Sequence, residues 1–517
     1  MDFDVLIRNG FVVDGSGAPG FAADVGIRKD RIAAIGTLDS STAREVIDAT
    51  GMIVCPGFID VHVHSEVQLA DPHNKTRYGS VLQGVTTHLT GPDGFGWAPV
   101  GSSQYSELWE STLFSHGVSE ALRDYTSPES YLACFAGNSP VNIVPQVPHC
   151  AVRYAVMGWS NRIATDDELD QMKVLTRQWL DAGAAALCLG LDYQPSAFAD
   201  TRELVELSRV AREYGAIYAA HVRYNDLGTV GAWRETMTIG ERADVPVHIS
   251  HESVTEITAP LLDEAANRCD LSFESYLYPA GCTHLALSLP IWAQAGGPAG
   301  IRERIKDAES AAKIKEALTL RLAPSELNER PVFVHTQTGK YIGLTLSEAA
   351  AEENMELGDF ALHVLAEEDP YALMVYHRGW SEEAATRYIA STVQHSSMMV
   401  ASDGIYHGVS GHPRAFGTFA KVLRQCVRDI SAVSMEAEIY KMSGFPASRF
   451  GIRDRGQLKE EYAADIVIFD PVEVTDRSTW EDPFLPPDGI PWVFVNGTPV
   501  VNNGEITSAL PGKVLGR

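Results

Sequence analysis

The apolar positions of this chain follow two rhythms. From about residue 58 to 450, apolar runs of four to eight residues alternate with longer stretches whose apolar side chains recur every three or four positions. The first rhythm predicts buried β-strands and the second amphipathic helices. The strand candidates are GFIDVHVH (57–64), TTHLTG (86–91), VNIVPQV (141–147), AAALCLG (184–190), AIYAAHV (216–222), VPVHISH (245–251), LSFESYLY (271–278) and MMVASD (398–403). Between them, DDELDQMKVLTRQWLDAG and TRELVELSRVAREYG read as helices that end at a glycine. Eight strands alternating with helices predict an α/β fold built on a parallel, TIM-like (β/α)8 barrel. Two further runs, VFVH (332–335) and LMVY (373–376), exceed the count of eight. They imply either an insertion or a misplaced seventh strand.

Both ends of the chain differ from the middle. VLIRNGFVVDG predicts a hairpin turning at Asn9-Gly10, and DVGIRKDRIAAIG one turning at Lys29-Asp30. Near the C-terminus, ADIVIFDP is followed by WVFVNGTPVVNNGEI, with a turn at Asn496-Gly497. These segments predict one small β-sandwich made from residues 1–57 and 459–517, with the barrel spanning 58–458. An insertion or lid on the substrate side is expected at about 284–345.

Composition changes this picture little and narrows the function. With 41 basic and 68 acidic residues, the net charge is −27. An acidic chain lacks the basic footprint of a general nucleic-acid binder and a polybasic surface for anionic lipid. No apolar run approaches the ~18 residues of a membrane span, and MDFDVLIRNG lacks the features of a secretory signal. The seven cysteines (Cys55, Cys134, Cys150, Cys188, Cys269, Cys282 and Cys426) are scattered and form no CxxC pair. They predict reduced thiols in a soluble, cytoplasmic protein. The oligomeric state is left open, a homo-oligomer included.

The strongest chemical signal is PGFIDVHVHSE. Alternation along a strand turns His62 and His64 to one face, at the C-terminal end where barrel active sites are built. Two neutral imidazoles on one face suit Zn²⁺ or a similar divalent ion. His221, His251 and Asp403 each close a later strand and would meet the pair at the same mouth. His248, three residues before His251, should face the opposite way and pack against a helix. His88 has no settled facing.

These motifs together resemble the amidohydrolase superfamily, in its branch of D-aminoacylase and other N-acyl-D-amino-acid deacylases. PGFIDVHVH resembles the opening metal motif, while YAAHVR and VHISHES are similar to the fifth- and sixth-strand ligand segments. GVTTHLTGPDGFGWAP, CLGLDYQP, YLYPAGCT, LPIWAQAGG and ASDGIYHGVSGHPRAFGTF resemble further segments of the branch. The resemblance implies one or two Zn²⁺ ions held by His62, His64, His221 and His251, with Asp403 as ligand and general base. It also implies that Tyr278 lies near the substrate carbonyl.

Two departures stand out. Asp93 occupies the place of the branch's usual cysteine ligand and is expected to bind metal as a harder donor. The lysine that normally follows the sixth-strand histidine is missing, the segment reading His251, Glu252, Ser253. Arg378 or Arg414 would then have to hold a substrate carboxylate. Alternatively, Trp97, Tyr276 and Trp292 would hold a neutral amide. His407 and His412 are expected to contact substrate, as is Ser253. The implied reaction is metal-assisted hydrolysis of a non-peptide amide in a small molecule. Its alternatives are hydrolysis of a cyclic amide, carbamate, urea or formamide, or a barrel without catalysis.

Overall fold

The structure is a computed structural model. It describes the whole chain except residues 1, 102–106, 113–114, 116, 118–121, 123, 323–329, 369, 407 and 409–410. Eight parallel segments pair in sequence order. They are Phe58–Asp60 with Val63–His64, Val85–Thr90, Asn142–Pro145 with Val147–Pro148, Ala186–Gly190, Ile217–His221, Val247–Ile249, Leu271–Ser275, and Met398–Val400 with Gly404–Ile405. Each pairs with the next. The eighth returns to the first through Gly404↔Val63 and Ile405↔His64, so the pairing forms a closed ring. Its interior is filled by small and medium apolar side chains, among them Ile59, Leu89, Val144, Ala186, Ala219 and Met399.

Helices connect consecutive ring strands on the outside. Asp166–Asp181 starts in a capping box, where Thr165 and Glu168 satisfy each other's backbone N–H groups. Thr201–Glu213 starts with Asp200 accepting from the Glu203 N–H and buries Leu204, Leu207, Val210 and Ala211. These buried positions recur every three or four residues, as a helix with one face on the ring requires.

Strands from both ends of the chain form one nine-stranded sheet, joined where Ile53–Pro56 pairs antiparallel with Ile466–Phe469. The turns at Lys29-Asp30 and Asn496-Gly497 lie where the sequence predicts them. The expected turn at Asn9-Gly10 does not form. Phe3–Val12 runs straight through it as one strand, and its register against Phe21–Arg28 shifts between Ile7 and Gly10. Asn9 takes the left-handed conformation there, and Asp24 and Asp48 accept its backbone and side-chain N–H groups at 3.0 Å each. Asn-Gly thus makes a bulge in place of a hairpin turn.

The two surplus strand runs belong to an insertion between the seventh and eighth ring strands. Ala280–His284, Arg330–His335 and Leu373–His377 form a separate antiparallel sheet with Leu373–His377 in the middle. The insertion therefore extends past 284–345, to beyond residue 377. It carries its own apolar cluster around Phe333, Phe360 and Met374.

All seven cysteines are free thiols. Among the described residues, no helix is long and apolar enough to cross a membrane.

The C-terminal segment crosses the N-terminal end of the ring. Val514 bridges to Ile143, the Leu515 N–H donates to the Ile143 carbonyl at 2.7 Å, and the Gly512 N–H donates to the Ser139 carbonyl at 2.9 Å. The Asn496 side chain also donates to the Pro511 carbonyl at 2.9 Å. Two more hold the segment, the Ile143 N–H donating to the Lys513 carbonyl at 2.9 Å and the Lys513 N–H to Asn142 Oδ1 at 3.1 Å. At about 1 kcal/mol per hydrogen bond, removing residues 509–517 should cost about 5 kcal/mol. The expected result is a folded protein with a lower thermal midpoint by calorimetry.

Candidate active site

The C-terminal mouth of the ring gathers six titratable side chains. His62 and His64 come from the first strand, Asp93 from the loop after the second, His221 from the fifth, His251 from beyond the sixth and Asp403 from the eighth. His64 Nε2 lies 3.2 Å from Asp403 Oδ1, and His62 Nε2 lies 3.5 Å from the same oxygen. Asp93 reaches across the group, with Oδ1 at 3.6 Å from His62 Nε2 and 3.9 Å from His251 Nε2, and Oδ2 at 3.7 Å from His64 Nε2. His221 Nδ1 lies 2.9 Å from His251 Nε2. Ligands bound at about 2.0–2.1 Å around a tetrahedral ion sit roughly 3.3 Å apart, which matches these spacings. His62, His64 and Asp403 form one group able to hold an ion, and His62, Asp93 and His251 form another.

Three of these six residues depart from ordinary backbone. Asp93, His251 and Asp403 have φ of +54°, +42° and +48°. A non-glycine residue in this region costs of order 1–3 kcal/mol. The departure also breaks strand alternation, which explains a correction. His248 faces into the ring, where its Nδ1 lies 2.7 Å from Ser272 Oγ and its Nε2 is close to Glu274 Oε2. It touches Phe450 at the end of a helix, but its polar contacts belong to the site.

The Asp93 loop is held from several directions. The Gly91 N–H donates to Glu66 Oε1 at 2.6 Å, and the Cys150 thiol lies 3.7 Å from the Asp93 carbonyl. Gly190 approaches so closely that an added Cβ would sit 2.4 Å from that carbonyl. Two histidines are oriented by carboxylates: His62 Nδ1 donates to Glu274 Oε1 at 3.0 Å, and His221 Nε2 to Asp192 Oδ2 at 3.1 Å. Such partners fix the ring and the tautomer of a metal-binding histidine. Glu274, Asp192 and Glu66 are absent from the sequence-based site. The one signal for them was an acidic residue inside or directly after an apolar strand.

Electrostatics favour a cation here. Burial opposes ionisation of Asp403, but the Arg414 guanidinium and then His62 hold its pKa at about 2. Burial likewise opposes the charged form of Asp93, yet His62 and its neighbours keep it well below the carboxylate range. Burial disfavours protonated His62, and Asp93 and Asp403 outweigh it and raise its pKa well above the usual value. His62 Nε2 and Asp93 Oδ1 are buried without a hydrogen-bond partner among the described residues. Donor atoms of this kind facing one another fit a divalent cation.

A cavity of about 500 Å³ opens over the cluster. Its wall includes Tyr193, Tyr276, Cys282, Thr283, Tyr376 and Arg414. Of the expected substrate contacts, Tyr276 and Arg414 are in this wall. Arg414 is 1% exposed, its Nη1 lies 2.8 Å from Asp403 Oδ2, and its guanidinium stacks over the Tyr276 ring at 4.7 Å.

The other expected contacts are elsewhere. Tyr278 is turned away because Leu277 has a φ of +57°, so 276 and 278 do not share a face. Its ring instead lies 4.4 Å from Lys421 Nζ. Trp97 is in the core against Tyr131, and Trp292 is 44% exposed outside the cavity. Ser253 bonds the Tyr388 hydroxyl, and Arg378 stacks on Trp380 at 4.8 Å. His412 lies beneath the wall, between the rings of Tyr276 and Tyr278, with Nε2 on the Ala280 carbonyl at 3.1 Å. His407 is outside the described residues. His88 is buried between Ser65 and Ser80, and burial lowers its pKa to about 3, so it is a neutral structural residue.

Glu252, which stands where a lysine was missed, points away from the cavity. It accepts from the Tyr224 hydroxyl and Trp233 Nε1–H at 2.9 Å each. A buried Ser196–His149–Glu203 series resembles a nucleophile triad, with His149 at 2.7 Å from the serine oxygen and 2.9 Å from the carboxylate. Ser196 and His149 have no solvent exposure, so the series braces the loop after the fourth strand.

A parallel ring with histidines and aspartates converging at its C-terminal mouth is the architecture of a metal-assisted hydrolase. Comparison with known proteins agrees. Residues 45–261 match the amidohydrolase family model. D-aminoacylase from Alcaligenes xylosoxydans xylosoxydans is 34% identical over 100% of this chain and 98% of the relative. N-acyl-D-aspartate deacylase of the same organism is 32% identical over 99% of this chain and 95% of the relative. The chain therefore belongs to the D-aminoacylase family of amidohydrolases, hydrolases of carbon–nitrogen bonds other than peptide bonds.

Solved structures agree as well. A D-aminoacylase crystal structure superposes with a TM-score of 0.83 at 33% identity, covering all of both chains. An N-acyl-D-glutamate deacylase from Bordetella bronchiseptica, in complex with zinc and a phosphonate inhibitor, superposes at 0.81 with 29% identity over all of both chains.

Gly190→Ala tests the rigidity of the Asp93 loop. Its Cβ must push the Asp93 carbonyl away, so divalent-metal content by elemental analysis should fall while the circular dichroism spectrum stays that of the wild type.

Proposed function

We propose that this protein hydrolyses N-acyl-D-amino acids, releasing a carboxylate and a D-amino acid. Arg414 carries the reading: a buried guanidinium in the wall of the cavity that also holds the cluster. Its Nε makes no hydrogen bond among the described residues. Its Nη1 is already paired with Asp403 Oδ2 at 2.8 Å, and the remaining donor capacity of a buried guanidinium suits a second carboxylate. Of the three aromatic residues expected to hold a neutral amide, Tyr276 lines the cavity and Trp97 and Trp292 do not. Tyr193 and Tyr376 line it as well, so the Arg414 guanidinium and not the aromatic content of the wall separates the two readings. The relatives named for D-amino-acid and N-acyl-D-aspartate chemistry support the same substrate class.

In this reading His62, His64, Asp93, His221, His251 and Asp403 hold one or two zinc ions. Zinc bound there would supply a water of lowered pKa, towards about 7, and would polarise the substrate carbonyl. Asp403 accepts the proton of the attacking water and returns it to the leaving nitrogen, which would otherwise depart as a poor amide anion. Arg414 keeps Asp403 ionised and orients the substrate carboxylate. Burial raises the pKa of Tyr276 above its ordinary value, so its hydroxyl stays protonated and can donate to the developing oxyanion. We read the strand ring, residues 58–458, as the (β/α)8 barrel and the terminal sheet, 1–57 and 459–517, as its β-sandwich. Seven free thiols support a reducing, cytoplasmic setting.

Asp403→Asn should lower kcat by about 10²–10⁴-fold. Retained turnover would remove its role as base. Arg414→Gln removes a charged hydrogen bond of about 1.5–3 kcal/mol. Through Asp403 it should lower kcat/KM on both series, and for N-acetyl-D-amino acids it should do so roughly ten- to a hundredfold more than for the matching amino-acid amides. An equal loss on both series would favour the neutral-amide reading. Release of ammonia in place of an amino acid would indicate a different reaction.

A further inference from the structure

The two groups able to hold an ion have His62 in common, and the histidines of the cluster are supported unequally. His221 has its own carboxylate, Asp192, at 3.1 Å. His62 and His251, which arrive from the first and sixth strands, share one residue. Glu274 Oε1 accepts from His62 Nδ1 at 3.0 Å and from the His251 backbone N–H at 2.8 Å. Its Oε2 faces His248 Nε2, and His248 Nδ1 lies 2.7 Å from Ser272 Oγ. Glu274 is 1% exposed and His248 2% exposed, so neither is a solvated surface charge.

Two consequences follow from this geometry. Accepting from Nδ1–H fixes the His62 ring with Nε2 as the nitrogen that faces Asp93 and Asp403. Accepting from the His251 N–H ties down a residue whose φ of +42° the strand would not adopt unaided. We propose that Glu274, backed by His248, is the positioning residue that couples His62, common to both candidate ligand groups, to His251. One buried carboxylate sets the ring of His62 and the backbone of His251 together. His248 Nε2 lies against the other oxygen, so both oxygens of Glu274 face histidines of the site.

The inference rests on the proposed cation site, and the test separates the two. Zinc and cobalt affinities are measured by equilibrium dialysis on the intact protein, with the visible spectrum of the cobalt form as a second readout. Glu274→Gln is close to isosteric and should fold. It is expected to weaken metal binding about 10-fold and to shift the cobalt bands, within the 10–100-fold range for partners of metal ligands. Glu274→Leu should weaken it towards 100-fold. His248→Gln, which leaves both Oε1 contacts in place, should cost less than either.

Metal binding and cobalt bands in Glu274→Gln equal to those of the wild type would overturn the proposal, even with a lower thermal midpoint, because that is the signature of a purely structural residue. If the wild type itself binds no divalent ion, the underlying site reading fails and the Glu274 proposal falls with it.

Discussion

The architecture of the site turns on one electrostatic constraint. Two nearly buried carboxylates, Asp93 and Asp403, are held ionised within 4 Å of a common set of imidazole nitrogens. Burying such a group is expensive unless charge and hydrogen bonds compensate it. Arg414 compensates one oxygen of Asp403, and the histidines compensate part of the rest. Asp93 Oδ1 and His62 Nε2 are left facing each other without a hydrogen-bond partner among the described residues. A cation resolves this arrangement, and the surroundings can be understood as holding the donors ready for it.

That readiness is built from backbone as much as from side chains. Three of the six clustered residues occupy left-handed conformations, and each is tied down nearby. Asp93 has Gly190, Cys150 and Glu66 around its loop. The His251 N–H reaches Glu274, and the Asp403 N–H donates to the His62 carbonyl at 2.8 Å, where the ring closes. Closure of the strand ring and assembly of the site are thus one event, since the last strand delivers Asp403 through the bond that joins it to the first. The insertion is a separate layer. It supplies wall residues such as Cys282, Thr283 and Tyr376 from its own antiparallel sheet, so the cavity can change its lining without disturbing the ring.

The expected strands and helices were legible because burial imposes period 2 or period 3.6 on apolar positions, and each ring strand overlaps its apolar run. The same pattern marked His62, His64, His221, His251 and Asp403 as residues at strand ends, and all five meet at the mouth. Asp93 was visible through resemblance alone, since Pro-Asp-Gly is also ordinary turn chemistry. At two positions a left-handed residue interrupts the alternation of faces along a strand. Leu277 exchanged Tyr278 for Tyr276 in the cavity, and His251 brought His248 inward.

Local pattern, then, was enough for the order of elements, the metal-ligand residue types and the family. Which carboxylate serves which imidazole was decided only by tertiary structure. Glu274 is 212 residues from His62 in the chain, and Asp403 is 339 from His64. Arg414 and Arg378 looked equivalent in sequence, yet one is buried against Asp403 and the other stacks on Trp380 outside the cavity. Periodicity records which face of an element is buried. It carries no record of the partner met there, because that partner arrives from another strand when the ring closes.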